Sequence, residues 1–504
     1  MSERTEPAVA RPDSHQPDHE IHPGAESVYT PQSRLVVNLL MVSAFVMFLN
    51  ETLLSVALPK LMATLNITAA TGQWLSTAYL LTMAIVYPMS GWVIQRFSTR
   101  GVFFAAMGLF ATGAVLASIA PNFGFLLLGR IIQACGTGVI SPLFMTAIMT
   151  LVPQSVRGKV MGNVTIVMSV APAVGPLIGG IIVQFLDWRW LFILVIPFAI
   201  AALTLGARKL VNISEAERVP IDYASVVLSA FAFGGLVYGF SGLGEWVRGE
   251  AFMAPWIPLT VGAVALVAFV FRQIRLARDN RALLDLRVFS SSGYTFAVIL
   301  MATMMASLFG TMILLPIYLQ NVVGLSSAAT GFLMLPGGLM MGFSGPFVGR
   351  LYDRLGARAL ILPGTVVTSV ALWAMAVLLT PQASWVLSLA CHMLLSAGLA
   401  LIFTPLFTVA LGSSKPHLYS HASAMLGTSQ QLSGAAGTAL FIVIYTIVVG
   451  QTAGSMTSTP SVDAIGAGVH AAFLVGGVVS FLAIVAALFI QTPAPVEQGD
   501  APTH

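Results

Sequence analysis

Charge is what this sequence has least of. Only 8% of its 504 residues are Asp, Glu, Lys or Arg, while 57% are hydrophobic; soluble domains carry about a quarter charged residues. Twenty-three basic and nineteen acidic side chains cannot cover a soluble surface of this size, so the surrounding solvent must be hydrocarbon. Cysteine is scarce too. Cys135 and Cys391 both lie in apolar runs, which excludes a disulfide framework and favours small core residues. No G-x-x-x-x-G-K-[ST] loop and no H-E-x-x-H pair occurs, so no ATP site, metal or other cofactor is expected, and energy must come from an ion gradient. The net charge of +4 makes no case for nucleic acid, because the basic residues mark topology instead.

What is present is a series of long apolar runs. They fall at about 35–58, 70–94, 102–120, 123–151, 160–186, 190–207, 223–243, 254–271, 292–318, 328–348, 358–380, 383–411, 421–450 and 466–491. About 20 apolar residues cross the ~30 Å hydrocarbon core as a helix, with every backbone group satisfied internally. The chain therefore reads as an all-α polytopic membrane protein of fourteen spans, with the lipid bilayer as its first partner. Residues 1–33 are polar and mixed in charge without an apolar stretch, so they read as a disordered tail rather than a signal peptide. His15, His19 and His22 in that tail read as solvated rather than metal-binding. With the tail inside, nineteen Lys and Arg fall in inside segments against three outside, Lys60, Arg189 and Arg248. The positive-inside rule then places both termini in the cytoplasm.

The two ends of the chain echo each other. "AATG" at 69–72 recurs at 328–331, "GWVIQRFSTR" from Gly91 matches "GRLYDRLGAR" from Gly349, and "PLF" at 142–144 returns at 405–407. Three ordered matches at nearly constant offset indicate a duplicated six-helix unit, and repeats around a central cavity are a transporter architecture. The organisation predicted is a tail at 1–33, a six-helix bundle at 34–208, an inserted two-helix segment and linker at 209–288, a second six-helix bundle at 289–492 and a tail at 493–504.

These segments resemble the major facilitator superfamily, and within it the fourteen-span drug:H+ antiporters of the EmrB/QacA type. "GRLYDRLGAR" is similar to the superfamily's gating-loop motif, with Gly349, Asp353, Arg354, Gly356 and Arg358 in place. The first copy keeps Gly91, Arg96 and Arg100 but has Gln95 for the acid and Ser98 for the glycine. "RIIQACGTG" resembles the buried-arginine motif, with Arg130 and Gln133. "FLNETLLSVALP" resembles the motif around a membrane acid, with Asn50 at the usual aspartate and Glu51 following it. "SVAPAVGPLIGGII" resembles the antiporter motif through Pro172, Gly175, Pro176, Gly179 and Gly180. Physically, that stretch strips side-chain bulk from one helix and bends it, so neighbours can approach closely. The resemblance implies a part between the two bundles in export by alternating access.

Glu51 is the only acid deep within a span, and Arg130 the only deep base. A carboxylate there costs several kcal/mol and should be paired or protonated, so Glu51 is the expected proton-coupling group. Counting helical rise puts Glu51 and Arg130 near one depth, and the resemblance puts both spans beside one cavity, so Arg130 is the second proton-coupling candidate, with contact between the two left open by the sequence. Ser43, Met47, Glu51 and Ser55 share one helix face, predicted to front a wet cavity. Asn50, Ser55, Gln73, Trp74, Tyr79, Gln133, Asn163, Trp373, His392, Gln430 and Gln431 are further candidates for the cavity wall. His392 is also titratable.

The expected function is proton-driven efflux of small lipophilic or cationic drugs and toxic compounds across a bacterial inner membrane, with no enzymatic chemistry. A dedicated exporter of one endogenous metabolite or amino acid fits the same features. A non-transporting sensor fits less well, because neither tail nor loop has room for a folded soluble domain. A periplasmic adaptor is compatible with the sequence but not indicated by it.

Overall fold

The computed structural model describes residues 29–212, 220–247, 251–453 and 461–490, without the side chains of Ser55, Val56, Pro59, Ala69, Ala70, Val247 and Ala453. The predicted tails at 1–28 and 491–504 lie outside the described residues. Among the described residues, fourteen helices are long and apolar enough to span a membrane. They are α1 (Pro31–Leu65), α2 (Ala69–Arg96), α3 (Thr99–Ser118), α4 (Phe123–Leu151), α5 (Gln154–Phe185) and α6 (Trp190–Ile193, then Val195–Lys209 after a break at Leu194). Then come α7 (Tyr223–Val247), α8 (Trp256–Ala277), α9 (Ser292–Asn321), α10 (Ser327–Leu355), α11 (Arg358–Leu378), α12 (Trp385–Gly412), α13 (Tyr419–Ala453) and α14 (Val462–Leu488).

Polar caps fix many of the starts. Thr30, Thr68, Ser98, Asn122, Ser326 and Ser461 each accept a hydrogen bond from an amide of the first helical turn, satisfying a donor that the helix itself leaves free. The repeated "AATG" opens both α2 and α10, and the repeated "PLF" puts Pro142 in α4 and Pro405 in α12. The sequence echo is thus an echo of elements.

In the first six helices α3 and α4, α1 and α5, and α2 and α4 pack together; in the last six the matching pairs are α11 and α12, α9 and α13, and α10 and α12. The halves meet along two seams, α5 against α10 and α2 against α13. The α5–α10 seam is close enough that a Cβ at Gly349 would overlap the carbonyl oxygen of Gly158, and one at Gly345 that of Gly162. We call the face bearing the α2–α3 and α10–α11 turns the basic face, after Arg96, Arg100, Arg354 and Arg358.

The pair α7–α8 stands on the second seam, with α7 touching both α2 and α13. Its anchor is polar. Arg272 Nε and Nη2 each donate to Asp222 at 2.7 Å, Ser225 also donates to Asp222, and Gln273 Nε2 donates to Ser225 Oγ at 2.6 Å. The Arg272 hydrogen bonds, against a smaller opposing effect of burial, hold the Asp222 carboxyl down at about 2. Because that value lies below the ordinary aspartate range, the stabilisation is present at neutral pH and is lost as pH falls through about 2. Arg272 is 41% exposed, so solvent screens the pair, and Asp222→Asn should cost only about 1 kcal/mol. A lowered thermal midpoint in detergent at pH 7, converging with wild type in strong acid, is the expected result.

Candidate functional site

Arg130, Gln133 and Thr137 follow helical spacing on α4, so their side chains share one face. On its other side, α4 packs on α3, where a Cβ at Gly129 would meet Ala117 N at 2.9 Å and one at Gly136 would overlap Ala106 O. That close backing turns the polar face toward α1 and α2. Arg130 is 1% exposed, and Asn50, Tyr79, Gln133 and Thr137 are buried with it.

Arg130 Nη1 donates to Asn50 Oδ1 at 3.2 Å and to Gln133 Oε1 at 3.4 Å. Its guanidinium lies 4.0 Å from the centre of the Tyr79 ring, and the Tyr79 hydroxyl donates to Thr137 Oγ1 at 2.8 Å. Thr137 in turn donates to the carbonyl of Gln133 at 3.1 Å. A buried cation is therefore held by amide oxygens and an aromatic face, an arrangement worth about 2 kcal/mol or more when desolvated.

Glu51 is half-buried, and among the described residues no ion pair joins it to Arg130. The two charges act on each other through space. Neighbouring helix positions point about 100° apart, so only one of Asn50 and Glu51 can face α4, and it is Asn50. The contact with Arg130 that the sequence left open is made by the residue before Glu51.

Three donors in this cluster have no acceptor: Asn50 Nδ2, Arg130 Nε and Gln133 Nε2. Leaving a buried donor unsatisfied costs about 1–3 kcal/mol. The cluster is rich in donors and short of acceptors, so a carboxylate or carbonyl oxygen is the chemistry that suits it.

Several wall candidates sit elsewhere. Ser43 is buried and donates to its own helix at Leu39 O (2.8 Å), and Met47 is fully buried, so of the predicted polar face only Glu51 is half-open; the Ser55 side chain lies outside the described residues. Gln73 is exposed, and Trp74 stacks on Tyr238 of α7 with ring centres 5.7 Å apart, so both belong to the seam. Trp373 packs against Gly477 of α14, away from the halves' meeting face. Gln431 rather than Gln430 crosses between halves, donating to Leu80 O at 3.3 Å. Asn163 is half-buried on α5. His392 is buried and bonds Met334 O at 3.2 Å through Nε2, while its Nδ1 has no partner.

The glycines of the 169–182 stretch also face another way than expected. A Cβ at Gly175 would overlap Thr52 Oγ1, and one at Gly179 would stand 2.6 Å from Leu53 O, so both press α5 on α1 within one half. Lys60 extends that contact by donating to Val183 O (2.6 Å) and Leu186 O (2.9 Å) at the end of α5, where a cation suits the helix terminus. Contact between halves runs instead through Gly158, Gly162, Val170 and Ala173. Pro172, Pro176 and Gly180 are half-buried.

Residues of the two loop motifs join the halves. Asp353 accepts from the backbone amides of Gly158 and Lys159, both at 3.0 Å, near the positive end of α5. Gly349 sits on Gly158, and Gly356 ends α10 at φ 79°, a conformation that favours glycine. Arg354 and Arg358 are exposed. In the first copy Ser98 caps α3 through Gly101 N (3.2 Å), Arg100 donates to Ala207 O (2.7 Å), and Arg96 is half-buried. Gln95 takes the acid's place by donating to His417 O (3.2 Å) and accepting from His421 Nε2 (3.0 Å). With Thr146–Ser423 (3.3 Å) and Thr165–Thr404 (2.6 Å), these bonds close the halves together at the basic face. Sequence reasoning missed Thr137 and His421; helical spacing from Arg130 offered a signal for the first, and nothing local did for the second. Among the described residues no three His, Cys, Asp or Glu side chains converge as metal ligands.

Comparison with known proteins agrees with this architecture. The family model described as Major Facilitator Superfamily matches residues 40–438. The MFS-type transporter YcnB of Bacillus subtilis is 36% identical over 469 residues, covering 93% of this chain and 97% of its own. The lincomycin resistance protein LmrB of Listeria monocytogenes is 36% identical over 454 residues, covering 90% and 95%. Among solved structures, the human organic anion transporter MFSD10 superposes with a TM-score of 0.62 at 14% identity, covering 91% of this chain and all of that one. The chain belongs to the major facilitator superfamily and is a membrane transporter rather than an enzyme.

Proposed function

We propose that this transporter exports lipophilic or cationic drugs and other toxic small molecules in exchange for protons, by alternating access. The observation that carries the reading is Glu51, which among the described residues is the one acid deep within a span, half-open and without an ion pair beside a buried cluster of donors on α1, α2 and α4. A carboxyl group in that position can take and give a proton without breaking a structural ion pair. Arg130 sets the local potential, and the orphan donors supply a landing place for an acceptor on the substrate or for Glu51 itself. The name of the lincomycin resistance relative supports a drug as cargo. Closure at the basic face fits a state open to the opposite side.

The test is a compound-susceptibility panel in cells with the gene deleted and restored. Restored resistance to several unrelated lipophilic compounds is expected. Sensitivity unchanged for every compound would remove drug export, and a single affected metabolite would favour a dedicated exporter.

The reading places the protein in a bacterial cell membrane with both termini in the cytoplasm, on the weight of its basic residues. A reporter fused after residue 495 should read cytoplasm, and one inserted near Gly249 should read outside. The opposite pattern would invert the direction of transport proposed here.

A further inference from the structure

The α2–α13 gate differs from its counterpart at α5–α10 in one respect. Where Asp353 offers a charge to two backbone amides, Gln95 offers a neutral amide to a histidine. The Gln95 amide is oriented by its own donation to His417 O (3.2 Å), so its Oε1 must accept, and His421 Nε2 must carry the proton of the 3.0 Å bond. In the neutral ring the other nitrogen, Nδ1, is then bare. It is buried without a partner and lies against Gly91, so near that a Cβ there would meet it at 2.9 Å.

The surroundings of His421 are set rigidly. Residues 278–291 cross from α8 to α9 along the seam, and Leu283 and Leu284 pack with Trp92, Phe233, Phe269 and Ala424. Leu284 N donates to the buried Gln273 Oε1 at 3.1 Å. Next to it Asp285, 3% exposed, is gripped by Arg287 through Nε at 2.9 Å and Nη2 at 2.5 Å. Burial, the largest single influence, would raise the Asp285 carboxyl, but the Arg287 hydrogen bonds together with the charges of His421 and Arg287 keep the group below its ordinary range. The charged and titratable groups acting on His421 are Asp285 and Arg287 of this linker and His417 at the entry to α13; Gly91 and Gln95 of α2 carry no charge.

We propose that His421 is the positioning residue of the α2–α13 gate, whose neutral ring holds Gln95 and whose protonation at Nδ1 releases it. The proton comes from solution at the basic face. Once on Nδ1 it meets the backbone of Gly91 with no acceptor in reach, while Asp285 draws the cation toward the linker. The ring must turn, and the Gln95 bond breaks. The linker from the inserted helix pair thereby holds the charge that pulls the gate open. This rests on the alternating-access reading above, but not on Glu51 as the coupling group.

The test uses the full-length protein in lipid nanodiscs with Cys135→Ala and Cys391→Ala, carrying spin labels at Thr150→Cys and Lys415→Cys. Both positions are exposed at the basic face, one in each half. As pH is lowered from about 8 to about 4, a range wide enough to charge a buried imidazole that resists protonation, the widely separated population should rise severalfold. His421→Gln keeps a donor but cannot take a second proton, and should stay closed at both pH values. Asp285→Asn removes the counter-charge and should move the transition to lower pH. Glu51→Gln should leave the His421-dependent response in place, so failure of proton coupling at Glu51 is read separately. A wild-type distance that ignores pH, or a response that survives intact in His421→Gln, overturns the proposal. Should His421→Gln fail to reach the membrane, an unmoved transition in Asp285→Asn overturns it as well.

Discussion

Glu51→Gln should reduce substrate flux driven by a pH gradient to background in proteoliposomes, while binding of a neutral substrate survives. Glutamine keeps the shape of the protonated acid but cannot exchange a proton. Glu51 makes no ion pair among the described residues, so the change removes no anchoring contact and the protein should fold and insert normally. Loss of the coupling group should exceed about 100-fold in rate, or about 2.7 kcal/mol of barrier. Glu51→Asp retracts the carboxyl by one methylene and should retain part of the flux with a shifted pH optimum. The measurement is ΔpH-driven substrate flux in proteoliposomes alongside ligand binding on the same preparation. Uphill transport by the glutamine variant would move the coupling proton elsewhere. His392 would then be the group to test, since its Nδ1 is buried and unpartnered.

Much of the architecture was legible because the bilayer restricts it. Only closed hydrogen-bonding patterns survive in hydrocarbon, so fourteen apolar runs could become little else than fourteen helices, and the described residues hold fourteen. The site was legible to the level of the helix and the depth. Counting residues along the helices gave Glu51 and Arg130 a similar depth and no more; the contact to Arg130 is made by Asn50. A shift of one residue turns a helical side chain by about 100°, and the direction in which α1 presents itself is fixed by tertiary packing, chiefly Thr52 and Leu53 against Gly175 and Gly179. The same limit applies to the gate. That Gln95 had lost the family's charge was visible in the sequence. What replaced it lies 326 residues away at His421, and no local pattern links the two.

The second large effect is expected at Gly175. A side chain there has nowhere to go: its Cβ would overlap Thr52 Oγ1 and stand 2.9 Å from Thr52 Cβ. Thr52 cannot yield easily, because its hydroxyl donates to Leu49 O at 3.1 Å and reaches Ala171 O on α5 at 3.4 Å. Gly175→Leu must therefore push α1 away from α5, at roughly 1–3 kcal/mol of strain, and it does so beside Glu51. The remaining α1–α5 ties, Lys60 on Val183 and Leu186, should keep the helices assembled, so the protein should reach the membrane at near-normal level and fail to export. Efflux of a fluorescent lipophilic dye, normalised to the amount of protein in the membrane, reads this out. A second pair of variants separates local overlap from a general intolerance of bulk. Gly175→Ala alone should lose most activity, and adding Thr52→Gly, which removes both the overlapped hydroxyl and the Cβ at 2.9 Å, should restore part of it. The glycines of the α5–α10 seam supply the contrast: Gly162→Ala drives a methyl into the carbonyl of Gly345, a backbone atom that no side-chain substitution can clear, so it should resist such rescue. Full efflux with leucine at 175 would mean that α1 and α5 need not hold this spacing during transport, and the motif would then be only a bend in a helix.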